Sequence, residues 1–122
     1  MADKKRDTAP HLPLTPAEFH LLLALADGDK HGYAIMKEVA RRTHDKVRLS
    51  AGTLYGLIRR LVNEGMIVET DERPVAALDD ERRRYYRLTE FGRRVAIAEA
   101  ERLEGVVELA RTKKLLIRPR TA

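Results

Sequence analysis

Between Ser50 and Asn63 the sequence sets out polar and small side chains at helical spacing. Wound as a helix, this segment puts Gly52, Thr53, Gly56, Arg59, Arg60 and Asn63 on one arc, with Tyr55 at its edge. Leu54, Leu57, Ile58, Leu61 and Val62 gather on the opposite arc and are expected to face a core. The first arc has small residues near its N-terminus and hydrogen-bond donors farther along. A helix that enters the major groove of a duplex and reads bases and phosphates needs that arrangement. Ser50 suits the N-cap, and with the free amides of the first turn it offers a seat for a phosphate. An ordinary amphipathic helix with a solvated face has the same pattern. Against it, two exposed glycines each forgo ~1 kcal/mol of helix stability relative to alanine, which close approach by a partner would explain.

A second basic group is Arg82-Arg83-Arg84, with Arg73 and Arg87 nearby. Arginines on a hairpin suit phosphate contact or minor-groove insertion, although Asp79-Asp80-Glu81 just before them offers local neutralisation. Other chemistries find less support. No pair among His11, His20, His31 and His44 has the i, i+4 spacing of metal ligands on a helix, and the chain has no cysteine. Cap or surface roles are expected for the histidines, and no metal or cofactor. There is no nucleophile elbow, phosphate-binding glycine loop or zinc motif, so no catalytic residue is assigned. Ser50 and Thr53 read as cap and outer-face residues, not nucleophiles.

The elements that must position these groups follow from periodicity. Thr15-Pro16-Ala17-Glu18 is an N-cap, a first-turn proline and a capping box. Phe19, Leu22, Leu23 and Ala26 then form an apolar stripe, with Leu21 and Leu25 beside it, and Asp27-Gly28-Asp29 supplies a stop. A helix so apolar is either a central core helix or one covered in part by a second chain. A second helix is expected over 32–42, with Tyr33, Ile35, Met36 and Val39 as its apolar members. A connector over 43–49 leads to the third helix, which ends near Glu64 before Gly65. Strands are expected at 66–72 and 84–88, joined by a long loop into a hairpin. Thr89 then caps a fourth helix over about 90–116. This helix carries two apolar stripes, one of Phe91, Val95, Ala98, Val106 and Leu109, the other of Ala96, Ala100, Leu103 and Val107. One stripe can cover the chain's own domain and leave the second for a partner, so exposed apolar length of this kind argues for a dimer.

With 122 residues the chain is expected to form one domain, mainly α with a small β-hairpin, arranged as a winged helix-turn-helix with a long C-terminal dimerisation helix. The expected limits are a flexible arm at 1–13, the DNA-binding domain at 14–89, the dimerisation helix at 90–117 and a flexible tail at 118–122. Lys and Arg total 24 against 19 Asp and Glu, a net charge of +5 that favours polyanionic partners. Twelve of the basic residues but only five of the acidic ones fall from Arg82 onward. No stretch has the length of a membrane span and no signal-peptide core is seen, so the cytoplasm is the expected location.

Several segments taken together resemble the PadR-like transcriptional regulators over roughly residues 14–115. They are Leu14-Thr15 with the apolar helix behind it, His31-Gly32-Tyr33-Ala34-Ile35, Leu49-Ser50-Ala51-Gly52-Thr53-Leu54-Tyr55, Leu61 with Glu64-Gly65-Met66-Ile67, and Tyr85-Tyr86-Arg87-Leu88-Thr89-Glu90-Phe91-Gly92. The resemblance implies a homodimeric repressor on palindromic operators, with the third helix in the major groove and the wing alongside. It implies DNA contacts at Tyr33, Ser50, Thr53 and Tyr55, and a dimer interface built by the C-terminal and first helices. Some relatives bind flat aromatic ligands at that interface, and a small aromatic effector is the further partner implied. The chain departs from the family at Ala51, where proline is frequent, at the small Gly56, and in an extended wing loop. The competing readings are a protein-binding winged helix and a non-specific, nucleoid-type DNA binder.

Overall fold

The structure, a computed structural model, describes residues 6–71 and 84–117. After a short 3-10 turn (Ala9–His11), the elements in chain order are α1 (Pro16–Leu25), β1 (Lys30–His31), α2 (Gly32–Arg42), α3 (Ala51–Asn63), β2 (Ile67–Thr70), β3 (Tyr85–Leu88) and α4 (Glu90–Thr112). The strands form one antiparallel sheet in the order β1-β3-β2, with Ile67 opposite Leu88 and His31 opposite Tyr85. This is a winged helix-turn-helix with a long terminal helix, and among the described residues no helix is long and apolar enough to cross a membrane. Strand β1 was not foreseen, because two residues are too few to show a period. It matters nonetheless, since it makes β3 the central strand and encloses Tyr85 as well as Tyr86 and Leu88.

Helix α1 opens with the expected capping box. The Glu18 amide donates to Thr15 Oγ1 at 3.2 Å, and the Thr15 amide donates to Glu18 Oε1 at 2.7 Å. Its inward face is rotated from the expected stripe: Leu21 and Leu25 are 0% and 2% exposed, whereas Leu23 is 39% exposed. The cause is that α2, α4 and β3 all pack against α1, and Leu21, Leu22 and Leu25 fill the space between them. Leu21 and Leu25 are therefore interior to the protomer and unavailable as dimer contacts.

The C-terminus of α3 fixes the next corner. Gly65 has φ +79°, its amide donates to the Val62 carbonyl, and the Met66 amide donates to the Leu61 carbonyl. This double closure satisfies the last carbonyls of the helix and needs a residue free to take positive φ. The Met66 carbonyl then accepts from the Thr89 amide at 3.0 Å, the Thr89 hydroxyl donates to the Gly65 carbonyl at 2.6 Å with the Met66 carbonyl at 3.0 Å, and Thr89 Oγ1 accepts from the Gly92 amide at 2.9 Å to cap α4. Gly92 sits so close that an added Cβ would overlap the Met66 carbonyl oxygen.

Helix α4 is roughly 35 Å long at 1.5 Å per residue. Val95 is buried, and Phe91 and Ala96 pack against the core. Ala96 thus covers the chain's own domain and is not wholly free for a partner. Glu99 is the last buried residue of α4, and Arg102 holds it by hydrogen bonds of 2.6 and 2.9 Å. That guanidinium keeps the Glu99 carboxyl below the usual carboxylate range against the opposing effect of burial. From Ala100 through Leu109 every residue is exposed, so both apolar stripes leave the domain together. The helix stops at Thr112, short of the expected end, because Lys114 turns to φ +64° and lets the Leu115 amide bond the Ala110 carbonyl.

Residues 6–13 were expected as a free arm, but they lie against the domain. Arg6 donates to the Glu64 carbonyl at 2.7 Å and stacks 4.0 Å over the Phe91 ring, and Arg94 donates to the Arg6 carbonyl at 2.6 Å. Gly92→Ala should lower unfolding free energy by on the order of 3 kcal/mol, measured by denaturant titration. A variant as stable as the parent would show that α4 does not rest on Met66.

Candidate nucleic-acid interface

The outer arc of α3 is open. Gly52, Thr53, Gly56, Arg59 and Asn63 are exposed, and an added Cβ at Gly52 or Gly56 would have nothing within 4 Å. The apolar arc is narrower than expected: Leu54, Ile58 and Leu61 are buried, Leu57 is half-buried and Val62 is exposed. Val62 instead lines a cleft of about 330 Å³ between α3 and the wing, together with Tyr55, Arg59, Asn63, Glu69, Arg84 and Tyr86. Burial and the neighbouring Glu69 carboxylate hold the Tyr86 phenol above its usual range.

At the start of α3, Ser50 Oγ accepts the Thr53 amide at 3.2 Å and donates to Thr53 Oγ1 at 3.0 Å. The helix N-terminus therefore presents two hydroxyls beside the first-turn amides of Ala51 and Gly52, a combination that attracts anions. Beside it stands the start of α2, capped by His31, whose Nδ1 accepts the Ala34 amide at 3.1 Å. Tyr33, expected among the apolar members of α2, is 52% exposed and points outward. Lys37 Nζ lies 5.4 Å from the centre of its ring. Lys37 is an exposed cation that the sequence reading missed, although the i, i+4 spacing from Tyr33 could have revealed it. Tyr55, 47% exposed, leans over the same spot, its ring and hydroxyl so close to Gly32 that a Cβ there would meet the hydroxyl at 2.9 Å.

The arginines divide into three kinds. Arg59 is exposed, and among the described residues no carboxylate lies within ion-pair reach of it. Arg60, also exposed, has carboxylates beside it: its Nη2 lies 2.7 Å from Glu18 Oε2 and its Nε 3.3 Å from Glu64 Oε1. Expected beside Arg59 on the outer arc, Arg60 is thus exposed but engaged by a buried carboxylate on α1. On the wing, Arg84 pairs with Glu69 across β2 and β3 at 2.8 Å. Arg87 clasps Asp29 with bonds of 2.8 and 3.2 Å, tying the wing to the loop after α1. Arg84 remains largely exposed, whereas Arg87 is a structural tie. Arg73, Asp79, Asp80, Glu81, Arg82 and Arg83 lie outside the described residues. No group of three His, Asp or Glu side chains able to hold a metal occurs among the described residues.

Comparison with known proteins accords with this geometry. The model of the transcriptional regulator PadR-like family matches residues 21–98. The transcriptional regulator Rv3488 of Mycobacterium tuberculosis is 37% identical over 92 residues, which span 75% of this chain and 77% of that protein. A transcriptional regulator from Clostridium thermocellum superposes with a TM-score of 0.63 at 26% identity, covering 78% of this chain and 86% of its own. A PadR family transcription regulator from Clostridium difficile gives a TM-score of 0.64 at 22% identity, over 78% and 94% of the two chains, a likeness of fold.

The open space around Gly56 sets up a direct test of the arc. Gly56→Ala should raise unfolding free energy by about 1 kcal/mol, the usual helix-interior gain, read from thermal or urea unfolding. A loss of stability would mean that something packs on that face within the protomer.

Proposed function

Because the chain belongs to the PadR-like family of transcriptional regulators, we propose that it acts as a homodimeric, sequence-specific repressor, with α3 in the major groove of a palindromic operator. Regulation of transcription, not catalysis, is the family's activity. The observation that carries the reading is the unobstructed outer arc of α3, where Gly52 and Gly56 leave room and Arg59 has no carboxylate within ion-pair reach among the described residues. In this reading Ser50 and Thr53 hold a phosphate at the helix start, and Tyr33 and Tyr55 flank it. Arg84 reaches the backbone from the wing together with Arg82 and Arg83. The cytoplasm is the setting that goes with this role.

The dimer in this proposal pairs through α4 and the outer side of α1. Ala100, Leu103 and Val107 keep the role expected of them and are exposed. Phe19 and Leu23 take the place of Leu21 and Leu25, supported by the half-buried state of Phe19 and the exposure of Leu23. Two α3 helices so related would address half-sites about one turn, ~34 Å, apart. A small aromatic effector is proposed at the same seam, acting by binding two dimer geometries unequally.

Selection of bound fragments from the host genome, followed by titration against salt, tests the DNA reading. A specific dimer should keep its operator in the presence of competitor DNA, and Arg59→Ala should weaken binding about tenfold, as the loss of one charged hydrogen bond of ~1.5–3 kcal/mol to a phosphate implies. Equal affinity for all sequences would favour the nucleoid-type binder, and no salt-sensitive association at all would favour a protein-binding module. Leu103→Glu should convert the protein to monomer at micromolar concentration in sedimentation. A parent protein already monomeric there would end the dimer argument.

A further inference from the structure

We propose that Arg60 is a positioning residue that sets the angle of α3 against α1 through Glu18, and that it contacts no phosphate itself. The assignment rests on the DNA-binding reading above and refines it. Arg59 and Arg60 are neighbours on the same exposed arc, yet their surroundings differ. The Glu18 side chain that takes Arg60 is only 4% exposed, and its other oxygen already accepts the Thr15 amide at 2.7 Å. A carboxylate so enclosed depends on its cation, because water cannot replace it. Swinging Arg60 out to a phosphate would strand that charge.

The second carboxylate reinforces the point. Glu64 Oε1 takes Arg60 Nε at 3.3 Å, and Glu64 Oε2 lies 3.5 Å from His11 Nδ1, so this acid is shared with the N-terminal segment. Moving Arg60 toward a phosphate would also leave two carboxylates near a third anion. The pair joins the third turn of α3 to the first turn of α1, whose outer face carries Phe19 and Leu23. It is thus a strut between the helix proposed to read DNA and the helix proposed to meet the partner. Any change in how two protomers seat against each other reaches α3 partly through this contact.

The experiment measures operator affinity of the full-length protein across a series of salt concentrations. Arg59→Ala should lower the slope of log affinity against log salt by about 0.9, the loss of one phosphate contact. Arg60→Ala should weaken operator binding about tenfold yet leave the slope at the parent value, with little change on non-specific DNA. Glu18→Gln keeps the shape of Glu18 and an acceptor for the Thr15 amide while removing the charge and the oxygen that takes Arg60, so it serves if Arg60→Ala fails to fold, and it should reproduce the same pattern. A slope reduced by about 0.9 in Arg60→Ala would overturn the assignment, as would unaltered operator affinity in Glu18→Gln. A parent protein without salt-sensitive DNA binding would sink the DNA reading and this assignment with it. The parent curve alone tells those two failures apart.

Discussion

The backbone carbonyl of Met66 is the point on which the rest of the structure turns. It receives the amide of Thr89, whose hydroxyl bonds the adjoining Gly65 carbonyl, and lies where only a glycine at position 92 can approach, while the Met66 amide closes the corner after α3. Three directions are fixed at once: the exit of α3, the start of β2 and the axis of α4. Buried backbone carbonyls need partners, and here that need is met by the residue that also caps the next helix. The junction therefore satisfies a polar group and aims a helix with the same atoms. The relative orientation of α3 and the long terminal helix is set where the Thr89–Gly92 turn meets Met66, without a long lever that could flex.

Around that corner the protomer is drawn together by charged ties. Arg87 with Asp29 joins wing to loop, Arg60 with Glu18 joins α3 to α1, and Arg6 with Glu64 and Phe91 straps the N-terminal segment over the junction. Surface ion pairs add little to stability as a rule. The Glu18 carboxylate differs because it is enclosed and hydrogen-bonded, so its pair specifies an arrangement more than it strengthens one. The protein spends part of its basic excess on its own architecture, which leaves fewer cations for a polyanion than the count of arginines suggests.

This division explains what could be read from sequence and what could not. Signals that lie within a few residues of one another were legible: the capping box at Thr15 and Glu18, Ser50 and Thr89 as caps, Gly65 as a helix stop, and the alternation of faces along α3. Each depends on bonds between residues at most four or five apart. What escaped depended on distant partners. Glu18 is far from Arg60 in the chain, and Asp29 is farther still from Arg87, so nothing local distinguishes a tethered arginine from a free one. The same reason hid β1, whose two residues are a strand only because Tyr85 and Tyr86 come alongside. The rotation of α1 escaped as well. On a helix apolar nearly all round, periodicity has no preferred direction, and only the arrangement of α2, α4 and β3 selects Leu21 and Leu25 over Leu23.

The rotation of α1 bears on how the two ends of the molecule communicate. With Leu21 and Leu25 committed inward, the face left outside carries Phe19 and Leu23, on the same short helix whose first turn holds the Glu18 end of the strut to α3. A ten-residue helix packed against α2, α4 and the central strand cannot bend to absorb a change on one side. It can only tilt as a unit. A shift imposed on its outer face is then delivered to Glu18, and from there to the guanidinium holding α3. Among the described residues the stripe of α4 beyond Glu99 has no such neighbour, so force applied there passes inward through the packing on α1 and through the Thr89–Gly92 turn that stands on Met66. Both routes end on α3, at its third turn and at its C-terminus. Two fixed points on one rod determine its direction, and under the proposed function that is the quantity a pair of groove-reading helices must control.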